Sequence, residues 1–259
     1  MRVSGLALAV ASTVTVSACF ATSASALAPR DFGRCVKLAK GEGGGEYSDH
    51  NCTQEVGAAK RFHWVPGPGA KAGFAGSAPA TIAQVQGGPT AIQCAHASVT
   101  GQYTGTTSEA LGITFTGCQL EKQACGSEGA AAGEVVTLPL EGELVMVKTE
   151  SLLISNIPGI VWRPALGETF ASFQCGVSSI VLSGSVLYEN RKNKMQSSEP
   201  AKIRVVRKNG WNLPSCYETC SEHPAYLSAS VNEAAPVVMG LDMPITLTNE
   251  EAIEASTVN

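Results

Sequence analysis

The sequence predicts an all-β fold: an antiparallel β-sandwich or barrel-like main domain and a small N-terminal disulfide lobe, behind a cleaved signal peptide. Three observations predict it. The clearest periodic segments repeat every two residues, no stretch of a dozen residues keeps a 3.6 period, and 27 glycines and 13 prolines punctuate the chain. Leu111, Ile113 and Phe115 alternate with Gly112, Thr114 and Thr116. Ile180 and Leu182, then Val186 and Tyr188, share a face across Gly184. Ile203 and Val205 alternate with Lys202 and Arg204, and Ile253, Ala255 and Thr257 with Ala252, Glu254 and Ser256. Such runs read as half-buried antiparallel strands. Ala130-Ala131-Ala132 offers the best start of a helical turn, but Gly129 and Gly133 bracket it.

Residues 1–26 read as an export signal. Arg2 supplies a thin positive region, Gly5 to Val16 an apolar one, and Ala24-Ser25-Ala26 the small-x-small pattern of a peptidase site. The apolar stretch is too short for a permanent span. Val16-Ser17-Ala18-Cys19 resembles a lipobox, so the alternative is a signal of residues 1–18 with a lipid on Cys19. Residues 27–78 are then expected to form a small disulfide lobe and linker, because Pro66-Gly67-Pro68-Gly69-Ala70-Lys71-Ala72-Gly73 has linker composition. Residues 79–259 are expected to form the β-rich main domain, with an irregular excursion over 209–236. The formal net charge is −4, and removing the signal takes away one base and no acid. A mildly acidic chain argues against nucleic acid as the main partner, and leaves a membrane only through the signal or a lipid on Cys19.

Eight cysteines follow the signal: Cys35, Cys52, Cys94, Cys118, Cys125, Cys175, Cys216 and Cys220. In an exported chain they read as a disulfide framework. Cys35–Cys52 closes the glycine-rich loop Gly41–Gly45, which lacks the Lys-Ser/Thr ending of a phosphate loop. Cys118–Cys125 reads as a staple across a turn. Cys94 and Cys175, both inside strand patterns, read as a bond between distant core strands. Cys216–Cys220 remains as a short local loop. With His223, these two cysteines have the residue types of a zinc site, but an oxidising compartment favours the disulfide. No metal and no cofactor are expected.

Catalytic patterns are weak. No G-x-S-x-G motif occurs. His96 is in phase with Ile92 and Cys94, which predicts a partly buried histidine, and none of Asp31, Asp49 and Asp242 sits in a telling context. Glu134, Glu141 and Glu143 lie near strand ends, and Glu141 and Glu143 share one strand face. A solvated face explains them better than a glycosidase pair. Trp162 reads as core, whereas Trp211 lies among polar residues and Trp64 is a third aromatic of interest. One segment concentrates bases: Arg191, Lys192, Lys194, Lys202, Arg204, Arg207 and Lys208 lie within a total of 18 Lys and Arg. This is a candidate anionic-ligand surface for cell-wall polymers, or a charged edge that prevents strand-to-strand association.

Phe32-Gly33-Arg34-Cys35-Val36-Lys37, Gly101-Gln102-Tyr103-Thr104-Gly105, Thr114-Phe115-Thr116-Gly117-Cys118, Asn193-Lys194-Met195 and Thr248-Asn249-Glu250-Glu251 carry a resemblance across most of the exported part. On these segments the chain resembles a family of exported, cysteine-containing, β-rich actinobacterial proteins. The resemblance implies secretion and a β-rich body, and brings no catalytic residue with it. The expectation is a non-enzymatic structural or binding module, secreted or lipid-anchored at the cell envelope, whose partner is cell-wall glycan or another envelope protein. The alternative is a secreted hydrolase of glycan or ester substrates.

Overall fold

The computed structural model describes residues 31–55, 60–85, 91–149, 152–189, 195–200, 203–204, 207–208, 211–212, 215–217 and 224–255. Among these residues every regular element is a strand. Phe32–Lys37 (β1), Phe62–Pro66 (β2), Gly73–Ala78 (β3) and Thr81–Val85 (β4) come first. Ala91–Cys94 (β5) and His96–Tyr103 (β6) then turn back into Ser108–Thr116 (β7) and Gln119–Leu120 (β8). Gln123–Gly126 (β9) and Val135–Val136 (β10) lead into the long hairpin Leu140–Thr149 (β11) and Leu152–Pro164 (β12). Thr169–Cys175 (β13), Ser178–Gly184 (β14) and Val186–Glu189 (β15) follow. Next are Gln196–Pro200 (β16), Ile203–Arg204 (β17), Arg207–Lys208 (β18), Trp211–Asn212 (β19), Ser215–Tyr217 (β20) and Pro224–Ala225 (β21). Leu227–Val231 (β22), Val237–Met243 (β23) and Thr246–Ala255 (β24) complete the series.

Eight of these strands close an antiparallel barrel in the order β4-β5-β8-β9-β13-β14-β22-β23, and β23 returns to β4 through Met239↔Val85 and Asp242↔Ile82. A second sheet runs β15-β12-β11-β7-β6-β3-β24-β1-β2. The expected all-β class is therefore correct, and its barrel form is the one adopted. Turns at 121–122, 176–177 and 232–236 cap one end of the barrel, while at the other end strands pass into the second sheet. One continuous apolar core, from Phe170, Ile180 and Met239 of the barrel to Ile113, Trp162 and Leu247 of the sheet, joins the two.

Corners between the sheets follow from local chemistry. Gly184, at φ 103°, ends β14, and a Cβ there would sit 2.2 Å from the Tyr226 carbonyl oxygen. Only glycine fits this bend. At the β5–β6 and β7–β8 corner, Gly117 has φ 65°, and the buried phase changes: Ile92 and Cys94 point inward before it, Ala97 and Val99 after it. His96 is consequently exposed, which corrects the expectation of a buried histidine.

Gly73–Ala78, at the end of the expected 27–78 lobe and linker, is a strand paired with β6 on one side and β24 on the other. The composition of 66–73 does describe the loop before it, while Phe74 and Ala78 supply buried anchors that short glycine-rich strands disguise. Likewise Leu227–Val231, inside the expected excursion, is a barrel strand between β14 and β23. Serine at its alternate positions hides the pattern. The segments 1–26, with Cys19, lie outside the described residues.

Among the described residues three disulfides are present, as fits an extracytoplasmic location. Cys35–Cys52 is as expected. The expected 94–175 and 118–125 bonds are wrong; the bonds are Cys94–Cys118 and Cys125–Cys175. Strand register is the reason. Ile92↔Leu120 and Gln93↔Gln119 in the barrel and His96↔Thr116 in the second sheet keep one register across the corner, which sets Cys94 opposite Cys118. Cys125 directly faces Cys175. Cys220 and the side chain of Cys216 lie outside the described residues.

The N-terminal loop is organised by Asp49. Its carboxylate accepts hydrogen bonds from the Asn51, Thr53 and Gln54 backbone N–H groups and from the Thr53 hydroxyl. Burial pushes this carboxyl up, but the four donors outweigh it and hold the group below its ordinary value. Glu254, on β24, moves the opposite way: burial raises it, the Asp49 charge adds to that, and a hydrogen bond from the Met195 backbone partly opposes both. Its folded value thus lies above its unfolded one. Its contribution is fully favourable below 4.5 and fades as pH rises through the folded value. Glu254→Gln is therefore expected to raise Tm at pH 7 and to leave it unchanged near pH 3.5, as followed by circular dichroism; a lower Tm at pH 7 contradicts this.

Candidate functional site

The candidate site is an open cleft of about 510 Å³ where β7, β11 and β12 meet the β6–β7 turn. Such a volume suits a small ligand or one segment of a polymer. Period-two alternation sorts its side chains onto two sides of the sheet.

On the buried side stands Glu109, 2% exposed. It pairs across the ladder with Gly142, which in turn pairs with Trp162. Glycine in the middle strand leaves the room: a Cβ on Gly142 would lie 2.4 Å from Glu109 Cγ. The carboxylate crosses that gap and accepts a hydrogen bond from Trp162 Nε1. Trp162 is fully buried, as expected for a core tryptophan, and packs 6.1 Å from Tyr188, centroid to centroid. Tyr103 faces Glu109 on β6, and its hydroxyl donates to Asn249 Oδ1 at 3.1 Å. A buried polar row therefore crosses the sheet beneath the cleft.

On the open side Arg163 lies between two carboxylates. Its Nε donates to Glu141 Oε1 at 2.8 Å, and Nη1 approaches Glu143 Oε2 at 2.9 Å. The register explains this: Glu141 faces Arg163, and Glu143 is the next residue outward on the same face. The Glu141 hydrogen bond, helped by the charges of both carboxylates, raises the guanidinium above its ordinary value, and burial only partly opposes it. All three side chains remain 43–49% exposed. Pairs this exposed add little to stability, so they are free to exchange partners at small cost. Hydroxyls from Thr104, Thr107 and Ser108 and apolar surface from Pro139, Leu140 and Ala165 complete the lining. The Thr104 hydroxyl donates to Ser108 Oγ at 3.0 Å.

Of the residues expected from sequence, Glu141 and Glu143 do share a face and a solvated one. Arg163, Ser108 and Glu109 were not anticipated; the only available signal was Glu109 occupying a core phase with Leu111 and Ile113. Glu134 lies half-buried before β10, away from the cleft lining. Trp64 is half-buried on β2 and covers Gly33. Arg191, Lys192, Lys194, Lys202 and His223 lie outside the described residues. Arg204, Arg207, Lys208 and Trp211 fall on β17, β18 and β19, whose side chains are likewise outside them. Among the described residues no group of three His, Cys, Asp or Glu converges as a ligand set for a metal. No protein-family model, curated protein or solved structure matches this chain.

Proposed function

We propose that this chain is an exported binding module of the cell envelope, taking a neutral, polyhydroxylated ligand, a glycan segment, in the Arg163 cleft. One observation carries the reading: Arg163 is held by Glu141 and Glu143 in an open cleft edged with hydroxyls. A sugar diol needs acceptors for its protons and a donor for its oxygens, side by side. Carboxylates accept only, a guanidinium donates only, and hydroxyls do both. Charge-assisted hydrogen bonds of this kind are the stronger ones. An anionic ligand would meet two carboxylates for one base, and a cationic one would meet Arg163.

The same geometry argues against the hydrolase. A glycosidase pair needs one carboxyl that keeps a proton and one that attacks or activates water. Here both carboxylates stand on one face of one strand and hold a single guanidinium between them, so they do not flank an open space from opposite sides.

Binding of the oxidised, processed protein to a glycan array tests the reading. Retention on neutral glycans, reduced at least tenfold by Arg163→Ala and by Glu141→Gln/Glu143→Gln, is the expected result. Retention unaffected by either variant removes the cleft from the proposal. Shortened glycans in the wash, detected by mass spectrometry, instead establish the hydrolase.

A further inference from the structure

The four half-cystines of the barrel form a single row. Cys94 faces Cys118 on the ladder continued from β5 and β8, and Cys125 faces Cys175 on β9 and β13. The middle pair also faces: Gln119↔Ala124 and Leu120↔Gln123 extend to Cys118 opposite Cys125, and the Cys125 N–H donates to the Cys118 carbonyl at 2.9 Å. Facing residues in an antiparallel ladder point to the same side, and all four cysteines belong to the apolar core, from 0 to 9% exposed. Reading across the sheet the order is 94, 118, 125, 175, with bonds on the outer two intervals and none on the inner one.

We propose that this row is an internal disulfide-exchange relay with a second stable pairing, Cys118–Cys125. The Cys125 N–H bond is one of the two that a hydrogen-bonded facing pair exchanges, while the Cys118 N–H donates to the Gly133 carbonyl at 2.9 Å. Cα atoms of such pairs stand about 5.5 Å apart, within the separation a disulfide spans, so the bond shifts by side-chain rotation and a local adjustment of the two strands. The step begins when a two-electron reductant opens Cys94–Cys118. The Cys118 thiolate attacks Cys125 Sγ; the 118–125 bond forms, the 125–175 bond breaks, and Cys175 leaves as a thiolate that takes up a proton. Thiolate attack on a disulfide sulfur is the ordinary exchange route. The row places attacking, central and leaving sulfurs along one lateral line. Of the four sulfurs Cys94 is the least buried, at 9% exposed, so an outside reductant meets it first and releases Cys118, whose accessible target is then the neighbouring Cys125 sulfur.

The consequence is a change in what the bonds secure. Two cross-links over 24 and 50 residues of chain are replaced by one local link across the β8–β9 turn. A short loop constrains the unfolded chain far less, so a single reduction event loosens two strand junctions of the barrel. The same relay also rescues a 118–125 bond formed early in oxidative folding, run in reverse with an oxidant that accepts two electrons.

Cys94→Ser, made in the full chain and recovered in oxidised form, tests the relay without added reductant. After incubation at pH 8 and acid quench, non-reducing peptide mapping is expected to find both 125–175 with free Cys118 and 118–125 with free Cys175. The ratio should be within tenfold either way and independent of protein dilution. Free Cys118 alone overturns the proposal. If this variant does not fold, one equivalent of a trialkylphosphine added to the intact protein gives the same reading. A 118–125 peptide with Cys94 and Cys175 alkylated supports the relay; alkylation confined to 94 with 118, or to 125 with 175, overturns it.

Discussion

Cys125→Ala/Cys175→Ala is expected to lower the unfolding free energy by about 4 kcal/mol, the chain-entropy value for a link across 50 residues. The position of the bond makes the effect specific. β8 has two residues and β9 four, and β9 meets β13 through only two registered pairs, Gln174↔Gly126 and Cys175↔Cys125. This is the thinnest sector of the ring, with the fewest ladder hydrogen bonds, and sulfur replaces what the backbone lacks there. A loss of this size corresponds to a fall in Tm of about 10 °C for a domain of this size. Guanidinium unfolding of the oxidised variant measures it; a midpoint unchanged from the parent means that the bond does not hold the ring closed. The Cys35–Cys52 bond closes 17 residues outside the barrel and should cost about 3 kcal/mol at most, since hydrogen bonds to Asp49 already organise its loop.

The difference between legible and illegible parts of this fold follows the same logic. Leu111, Ile113 and Phe115 could be placed on one buried face because alternation is local. The same holds for Ile180, Leu182, Val186 and Tyr188, all at or below 8% exposure. Disulfide partners are not local. They depend on which residue lies at the centre of the β6–β7 hairpin, and Tyr103↔Glu109 and His96↔Thr116 show that Thr106 does. Continuing that symmetry outward brings Cys94 to Cys118, so the Thr104–Thr107 turn held the information, unweighted. Strands such as Gly73–Ala78 and Leu227–Val231 escaped because glycine, alanine and serine carry little hydropathy contrast.

The candidate site was half legible for a similar reason. Glu141 and Glu143 share a face by simple alternation, but their shared partner arrives from β12, 20 or so residues later. Whether a carboxylate face is solvated or clamped depends on what pairs with it. Glu109 was visible as a charged residue in a core phase, yet its acceptance there needs two further facts: glycine at 142 and an indole N–H at 162. A buried polar side chain is tolerated only with such partners.

Trp162→Ala is accordingly expected to be the most damaging single substitution, costing about 5 kcal/mol. Truncating a buried aromatic costs about 3–5 kcal/mol in transfer and cavity terms, and Glu109 additionally loses the indole donor, worth about 1–3 kcal/mol. Trp162→Phe separates the two contributions, because it keeps most of the ring volume and removes the N–H; about 2 kcal/mol is expected. Glu109→Gln retains an acceptor oxygen for the indole and should cost less than either. Denaturant unfolding of the three variants orders them, and a Trp162→Ala loss no larger than that of Trp162→Phe means the indole packing contributes nothing. The ligand readout should diverge from stability. Trp162 and Arg163 are adjacent and point to opposite sides of β12, so the indole fixes the strand on which the guanidinium rides. Trp162→Phe, still filling the core, should hold Arg163 between Glu141 and Glu143 and keep glycan retention close to the parent. Arg163→Ala should do the reverse, losing retention with little change in stability because exposed ion pairs contribute little to folding.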